Sequence, residues 1–396
     1  MKILPQFGCA ALFCTSLMLS AGIAAASSES VLYSFPQNAE PFGRLLNNKS
    51  GVMYGTAYYG ETGGGSVYQL QQKRGSWTVH EIVQFGSGTN DGRHPYAGVI
   101  GDSNITALYG TTTGGGTSKN GTVFSATHAG GSWTKMILHN FTGSDGATPY
   151  AMLLRNKATG VLYGTTLKGG SQGCGVAFQI DPDGSHYSIT HAFQGGSDGC
   201  NPQTQLRAGA TVGTFIGSTD FGGSSDSGTM FLLKEKGGVW TEKLLHAFNG
   251  SDGAYPVDFA VASDGIVYGV ATSGGTHNAG VAFRITNVNR RPNYSVIYNF
   301  AGGSDGNSPI GIQLDEATGT CYGTTTYGGT SGLGTLFSLT AVGNQFTESV
   351  LHSFTAGSDG SHPASRPIIN PTTGQLFGTT LSGGQDNNGV IYAVTP

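Results

Sequence analysis

One unit of 52–55 residues recurs seven times between Val31 and Pro396. Its clearest phrase is Leu/Val-Tyr-Gly-Thr-Thr, whose glycine falls at Gly55, Gly110, Gly164, Gly217, Gly269, Gly323 and Gly378. A fixed period of this size is typical of solenoids, propellers and other repeat arrays. The repeat also provides an internal control. A residue present in every copy is a candidate for the scaffold, and one present in only a few copies is a better candidate for function.

Each unit contains four short runs that predict strands, which we label d, a, b and c in chain order. In the third repeat these are 150–155, 161–166, 175–180 and 187–193, and Gly-rich or Asp-Gly turns separate them. This spacing indicates antiparallel meanders. No segment has an apolar period of 3.6 residues, so helices should be nearly absent.

These repeats predict an all-β fold, a seven-bladed β-propeller with four-stranded antiparallel blades. One spherical core rarely serves so long a chain, whereas sheets packed around an axis bury their faces against each other. Residues 31–35 resemble strand c, and the last repeat ends after strand b at 390–394. The N-terminal strand should therefore complete the last blade. The alternative division, c-d-a-b without a closing strand, also gives seven blades.

Composition predicts the compartment and excludes some partners. Residues 1–26 combine Lys2, an apolar run and Ala24-Ala25-Ala26, which is typical of a secretory signal peptide. We expect residues 27–396 to form one domain without a membrane span, either secreted or periplasmic. The net charge is −4 and charged residues make up 11%. No basic stripe is present to neutralise phosphates, so we expect no nucleic acid partner. We find no cofactor-binding motif and expect no cofactor.

Several phrases recur together: Tyr-Gly-Thr-Thr, Gly-Gly, Gly-Thr-Val-Phe and Ser-Asp-Gly-x-x-Pro. In combination they resemble the GloVer (Gloeobacter/Verrucomicrobia) tandem repeat over essentially the whole of 27–396. The resemblance implies an exported, propeller-like bacterial protein, often associated with the cell surface. It implies no general activity.

Two polar repeat positions, the loop aspartate and the strand c histidine, are interpreted as structural. The loop Asp-Gly-x-x-Pro should use its carboxylate to accept local backbone N–H groups. Strand c carries His139, His191, His246 and His352 in four different blades. We expect these imidazoles to be buried donors to neighbouring carbonyl groups, and we predict no metal site.

The residue before the loop proline varies from blade to blade. It reads Glu40, His94, Thr148, Asn201, Tyr255, Ser308 and His362. Blades seven, one and two are consecutive in a closed ring, so Glu40, His94 and His362 are candidate catalytic residues at the channel mouth. Arg44, Arg93 and Arg366 lie nearby in sequence and are candidate ligand-binding residues. Alternatively, these positions are polar only because they lie at a surface.

Loop tips carry aromatic residues that could stack on sugar rings: Tyr58, Tyr59, Tyr255 and Tyr327, together with Phe221. Packing against the neighbouring blade is the alternative. Two functions therefore stay open. The first is a non-catalytic binding or scaffold propeller that recognises a polysaccharide or cell-surface glycan at the loop face. The second is an extracellular polysaccharide lyase or glycoside hydrolase with its site at the channel mouth.

The cysteines predict one disulfide. Cys174 begins strand b and Cys200 follows strand c of the same repeat. Antiparallel neighbours place the start of b and the end of c at one edge, so the two Cα atoms should lie within bonding range. Cys321 lies in strand a and should be a buried free thiol.

Overall fold

The computed structural model describes residues 27–36, 39–48, 50–343 and 345–396. These residues form seven antiparallel blades arranged as a β-propeller. The predicted signal peptide, residues 1–26, lies outside the described residues. In the described part of the chain no helix is long and apolar enough to cross a membrane.

The strands of each blade follow one another from the channel outwards. Blade one contains Leu46–Asn47, Met53–Ala57, Ser66–Lys73 and Ser76–Gln84; blade two, Ile100–Gly101, Ala107–Thr112, Thr122–Ala129 and Ser132–Asn140; blade three, Leu154–Arg155, Leu162–Thr166, Val176–Ile180 and Ser188–Ala192; blade four, Arg207–Ala208, Thr214–Thr219, Thr229–Lys236 and Val239–Ala247.

Blade five contains Ala254–Val261, Val267–Ser273, Val281–Thr286 and Asn293–Asn299, and blade six, Asn307–Asp315, Thr320–Tyr327, Thr335–Val342 and Gln345–Ser353. Blade seven has an interrupted inner strand, Ser361–Pro363 and Ile368–Ile369, then Leu376–Ser382, Val390–Thr395 and the N-terminal strand Ser28–Ser34. A short pair, Gly92–Arg93 with Gly114–Gly115, and two 3₁₀ turns, Gly196–Asp198 and Gly303–Asp305, complete the described elements.

The closing strand is present as predicted. Ser28–Ser34 pairs antiparallel with the last strand, from Ser28 opposite Thr395 to Ser34 opposite Val390. The pairing begins three residues earlier than the repeat pattern suggested. The inner strands differ more from the expectation, because only two residues of the predicted 150–155 pair regularly in blade three. The residues before them run along the channel wall without a ladder partner.

The apolar core consists of seven separate clusters, one between each pair of neighbouring blades. The strand b aromatic covers the glycine of the Tyr-Gly-Thr-Thr phrase on the adjacent strand. At Gly164, an added Cβ would lie 2.5 Å from Cζ of Phe178. Only glycine leaves room for the ring there, so the clearest phrase of the repeat is a packing device.

The two repeated polar positions, the loop aspartate and the strand c histidine, connect each strand c to the loop that follows it. Asp145 accepts the Thr142 N–H and pairs with Nε2 of His139 at 2.9 Å. The same histidine–aspartate pair recurs at His191–Asp198, His246–Asp252 and His352–Asp359. The partner of each imidazole is thus the loop carboxylate and not the carbonyl that we expected. Within the described residues no group of acidic, histidine and cysteine side chains is arranged to hold a metal ion.

Candidate functional site at the mouth of the central channel

The varying residue before each loop proline has one backbone conformation in all seven blades. Its φ lies between 47° at Glu40 and 63° at Asn201, the left-handed region that non-glycine residues rarely adopt. The neighbouring blade holds this conformation, as when the His94 N–H donates to Gly64 O at 2.7 Å. Because the scaffold needs only the backbone here, the side chain is free to vary.

The three predicted ionisable residues occupy this position, and each is half-buried. His94 stacks on Tyr58 with ring centroids 4.6 Å apart, and its Nδ1 lies 3.2 Å from Tyr58 O. Burial raises the pKa of Glu40. His362 packs edge-on against Tyr327 at 5.4 Å. No hydrogen bond among the described residues joins any two of Glu40, His94 and His362.

The predicted loop-tip aromatics pack across blade boundaries and keep part of their surface exposed. Tyr59 contacts His94 of the next blade, and Phe221 contacts Tyr255 in the same way at 5.7 Å. The exposed fractions of Tyr59, Tyr255 and Tyr327 are 37%, 38% and 49%. These rings therefore serve inter-blade packing and still present a face to solvent.

The predicted arginines separate into two locations. Arg44 and Arg366 line one cavity in the central channel. Arg93 is exposed in a different groove, where its guanidinium donates to Gly86 O at 3.3 Å. The structure thus brings together two of the three arginines.

The sequence predictions did not include an aromatic ladder on the channel wall. Phe42 stacks on Tyr96 at 4.6 Å, and Tyr96 stacks on Tyr150 at 3.8 Å. All three line the cavity that contains Arg44 and Arg366. They come from three consecutive blades at one repeat position, which reads Phe42, Tyr96, Tyr150, Gln203, Val257, Ile310 and Ala364. The signal was present in the sequence, since aromatics occupy this position only there.

A carboxyl group lies beside the end of this ladder. Gln203, which lines the cavity, donates from Nε2 to Oδ1 of Asp220. Burial raises the pKa of Asp220 to about 7. Burial and then the neighbouring Tyr96 raise the pKa of Tyr150, and the charge of Asp220 adds the smallest contribution. Asp220 is therefore a group at the channel mouth that can hold or release a proton near neutral pH.

Below the ladder the channel is cationic. Arg207 and Asp258 join Arg44 and Arg366 on the cavity wall, and an Arg207 Nη atom lies 3.4 Å from Oδ1 of Asp258. Burial first, then the charges of Arg366 and Arg207, holds the pKa of Arg44 well below its ordinary value. The cavity has a volume of about 170 Å³, smaller than the 300–1,000 Å³ that hold a whole drug-sized ligand. It can admit one end of a larger molecule.

Solved structures resemble this fold at low sequence identity. A catalytically inactive virginiamycin B lyase from Staphylococcus aureus, crystallised with quinupristin, aligns with a TM-score of 0.61 and 14% identity over 93% of this chain and 99% of its own. A hypothetical selenium-binding protein from Sulfolobus tokodaii aligns with a TM-score of 0.51 and 11% identity over 75% of each chain. At these identities the likeness concerns the fold alone.

The repeat itself is more specific. No curated protein sequence matches this chain. The profile of the Gloeobacter/Verrucomicrobia repeat matches residues 23–231 and 207–396, which together span all seven blades. The chain therefore belongs to the Gloeobacter/Verrucomicrobia repeat family.

Proposed function

We propose that this protein is an exported, non-catalytic binding propeller that recognises a polysaccharide or cell-surface glycan at its loop face. The observation that carries the proposal is the ladder of Phe42, Tyr96 and Tyr150 at the channel mouth. Aromatic faces carry partial negative charge and attract the polarised C–H groups of a sugar ring. The three rings stack on one another, so the platform they offer is a row of ring edges with the outer faces of Phe42 and Tyr150 at its two ends.

Further features support this function. Tyr58 lies next to the ladder, 5.5 Å from Phe42, and is stacked on His94, so the platform continues outward from the channel. Glu40 belongs to the same region, because its backbone carbonyl accepts the Tyr58 N–H at 3.1 Å. The Cys174–Cys200 disulfide is compatible with export to an oxidising compartment.

The test is binding of the purified chain to an array of neutral and acidic glycans, followed by calorimetry on the best ligand. Tyr96→Ala should weaken binding roughly tenfold or more, about 1.4 kcal/mol, because Tyr96 holds Phe42 and Tyr150 together in one stack. Trp77→Ala is the matched control, since this half-buried aromatic lies on the outer strand Ser76–Gln84 and not in the cavity. Equal affinities of Tyr96→Ala and the parent would refute the proposal.

Asp220 favours a second candidate, a polysaccharide lyase or glycoside hydrolase with its site at the same mouth. Its carboxyl has a pKa of about 7 and is hydrogen-bonded to a cavity-lining residue, which suits a general acid or base. Product analysis after incubation with acidic and neutral polysaccharides tests this function. Asp220→Asn should abolish turnover and leave glycan affinity unchanged, and Asp264→Asn in an exposed turn of blade five should alter neither. Intact substrate after long incubation would leave binding as the function.

A further inference from the structure

One level of the channel wall carries an unusual set of side chains. This level is defined by the pairing of the inner strand with the Tyr-Gly-Thr-Thr strand. In blade one, for example, Leu46 pairs with Tyr54, and the residue at this level is Arg44, two positions before Leu46. Around the ring these residues are Arg44, Gly98, Met152, Gln205, Asp258, Gly311 and Arg366. The two glycines let neighbouring inner strands approach closely, since an added Cβ would lie 2.2 Å from Arg44 O at Gly98 and 2.4 Å from Arg366 Cα at Gly311. Arg207 adds a third guanidinium two residues beyond Gln205.

The positive charge of this ring is not balanced. Among the described residues that line the cavity, Asp258 is the one carboxylate facing three guanidinium groups, which gives a local charge of 3 − 1 = +2. Asp258 is shared, with Arg207 at 3.4 Å and Nε of Arg366 at 3.8 Å. It also accepts the Ile312 N–H at 3.1 Å. One carboxylate therefore serves two guanidinium groups and a backbone N–H, and it cannot fully neutralise both arginines.

The arginines also keep unused donors. Nε of Arg44 and Nε of Arg207 are buried and have no hydrogen-bond partner in the part of the chain that the structure describes. Within the described residues, the side-chain hydrogen bond of Arg44 runs from Nη2 to the neutral Gln313, at 3.4 Å. Burying a charged donor without a partner is costly, and the cost falls when an anion supplies the missing acceptors.

A purely structural role accounts less well for this arrangement. A buried Nε without a partner also occurs at Arg155 and Arg284, so the distinguishing feature of the channel is that three guanidinium groups share one carboxylate, in contrast to one-to-one pairs such as Lys135–Asp91 at 2.6 Å. The protein as a whole has a net charge of −4, so an excess of cations inside its channel runs against its composition. An incoming oxyanion can accept two hydrogen bonds from one planar guanidinium, which makes arginine the suitable residue.

We propose that Arg44 and Arg207 bind the acidic group of a sugar residue, a uronate carboxylate or a sulfate ester, while the neighbouring aromatic ladder holds its ring. Arg366, whose guanidinium already contacts Asp258 and the carbonyls of Phe259 and Ile312, adds positive charge behind them. This inference rests on the proposed glycan binding and names the class of glycan: acidic polysaccharides. The small cavity suits one charged group at the end or on a branch of a chain, with the remaining sugars on the loop face.

The test compares a glucuronate-containing oligosaccharide with its carboxyl-reduced, neutral counterpart, and a sulfated oligosaccharide with its desulfated form, by calorimetry on the full chain. We expect the acidic member of at least one pair to bind at least tenfold more tightly, with a preference that shrinks at high salt. Arg44→Gln should remove most of this preference. Arg93→Gln, the exposed arginine outside the channel, should leave it intact.

Two further variants keep the test decisive. Asp258→Asn raises the local charge from +2 to +3 and should strengthen acidic binding, even if its melting temperature falls. Tyr96→Ala should weaken acidic and neutral partners alike. Equal affinity for acidic and neutral members of both pairs would overturn the arginine site and leave glycan binding standing. Binding of free sulfate ions without binding of any oligosaccharide would preserve the anion site and reject the proposed function.

Discussion

The seams between blades and the wall of the central channel come from the same repeat, yet they vary in opposite ways. Each seam buries the same kinds of side chain, including the fully buried rings Phe85, Phe141, Phe193, Phe248, Phe300 and Phe354. The channel wall changes from blade to blade, from arginine to glycine, methionine, glutamine and aspartate. The seams need seven equal contacts to close a ring, whereas the channel has one lumen and needs its chemistry only once.

The largest expected effect distinguishes the two regions by stability. Phe178→Ala removes a fully buried ring from the seam between blades two and three. We expect a loss of about 3–5 kcal/mol in the free energy of unfolding, because the rigid glycine strand beside it cannot collapse into the cavity. Met152→Ala, on the channel wall, should cost about 1 kcal/mol. Urea unfolding monitored by fluorescence measures both, and similar losses would contradict the distinction.

The disulfide strengthens one seam only. Cys174 and Cys200 are joined in the structure with Cα atoms 4.5 Å apart, and Cys321 is a buried free thiol, both as predicted. Replacing the pair by alanines should destabilise the protein by about 3 kcal/mol, since the bond closes a loop with a sequence separation of 26. Thiol counting on unfolded, unreduced protein spanning 27–396 should find one free cysteine. Three free thiols would show that the bond does not form in solution.

The seams should also respond to pH. Burial and then the nearby Asp305 raise the pKa of Glu348 to about 8. A carboxyl with a raised pKa contributes its full stability below its unfolded pKa, near 4.5, and loses it as pH rises through about 8. Glu348→Gln should therefore stabilise the protein at pH 9 by on the order of 1 kcal/mol, after allowance for solvent screening, and make little difference at pH 4.

The melting temperature across this pH range checks the prediction. Glu61→Gln, on an exposed loop, is the control for removing one negative charge. If both variants shift stability equally at pH 9, then net charge and not the buried carboxyl pair is responsible.

The smallest effect concerns the left-handed residue before each loop proline. Thr148 has φ of 55°, which is strained for a β-branched side chain, whereas Asn201 holds the same position in the next blade. Thr148→Asn should stabilise the fold by roughly 0.5–1 kcal/mol, because asparagine tolerates this conformation better. Thermal unfolding provides the measurement. Destabilisation would mean that the side chain, and not only the backbone, is part of the scaffold.

The sequence allowed the number of blades, the closing strand and the disulfide to be predicted because each depends on residues that recur at fixed spacing. The channel site was predicted only in part. Arg44 and Arg366 share a repeat position, but Asp258 escaped notice because the inner strand of blade five has a register shift between Pro256 and Asp258. Arg44 and Arg366 lie three residues after the loop proline, and in blade five that spacing leads to Phe259 and not to Asp258. Asp220 was missed because burial, which raises its pKa, cannot be read from its neighbours in sequence.

The strand Ser28–Ser34 has a consequence for the order of events during synthesis. It leaves the ribosome among the first described segments, yet its partner, Val390–Thr395, is among the last. Blade seven therefore cannot form until the whole repeat array is complete, and it contains the most distant contacts in the chain. Such non-local pairing costs the most loop entropy and is slow. Six blades can assemble in sequence while the seventh waits, so ring closure should be the final and rate-limiting step of folding.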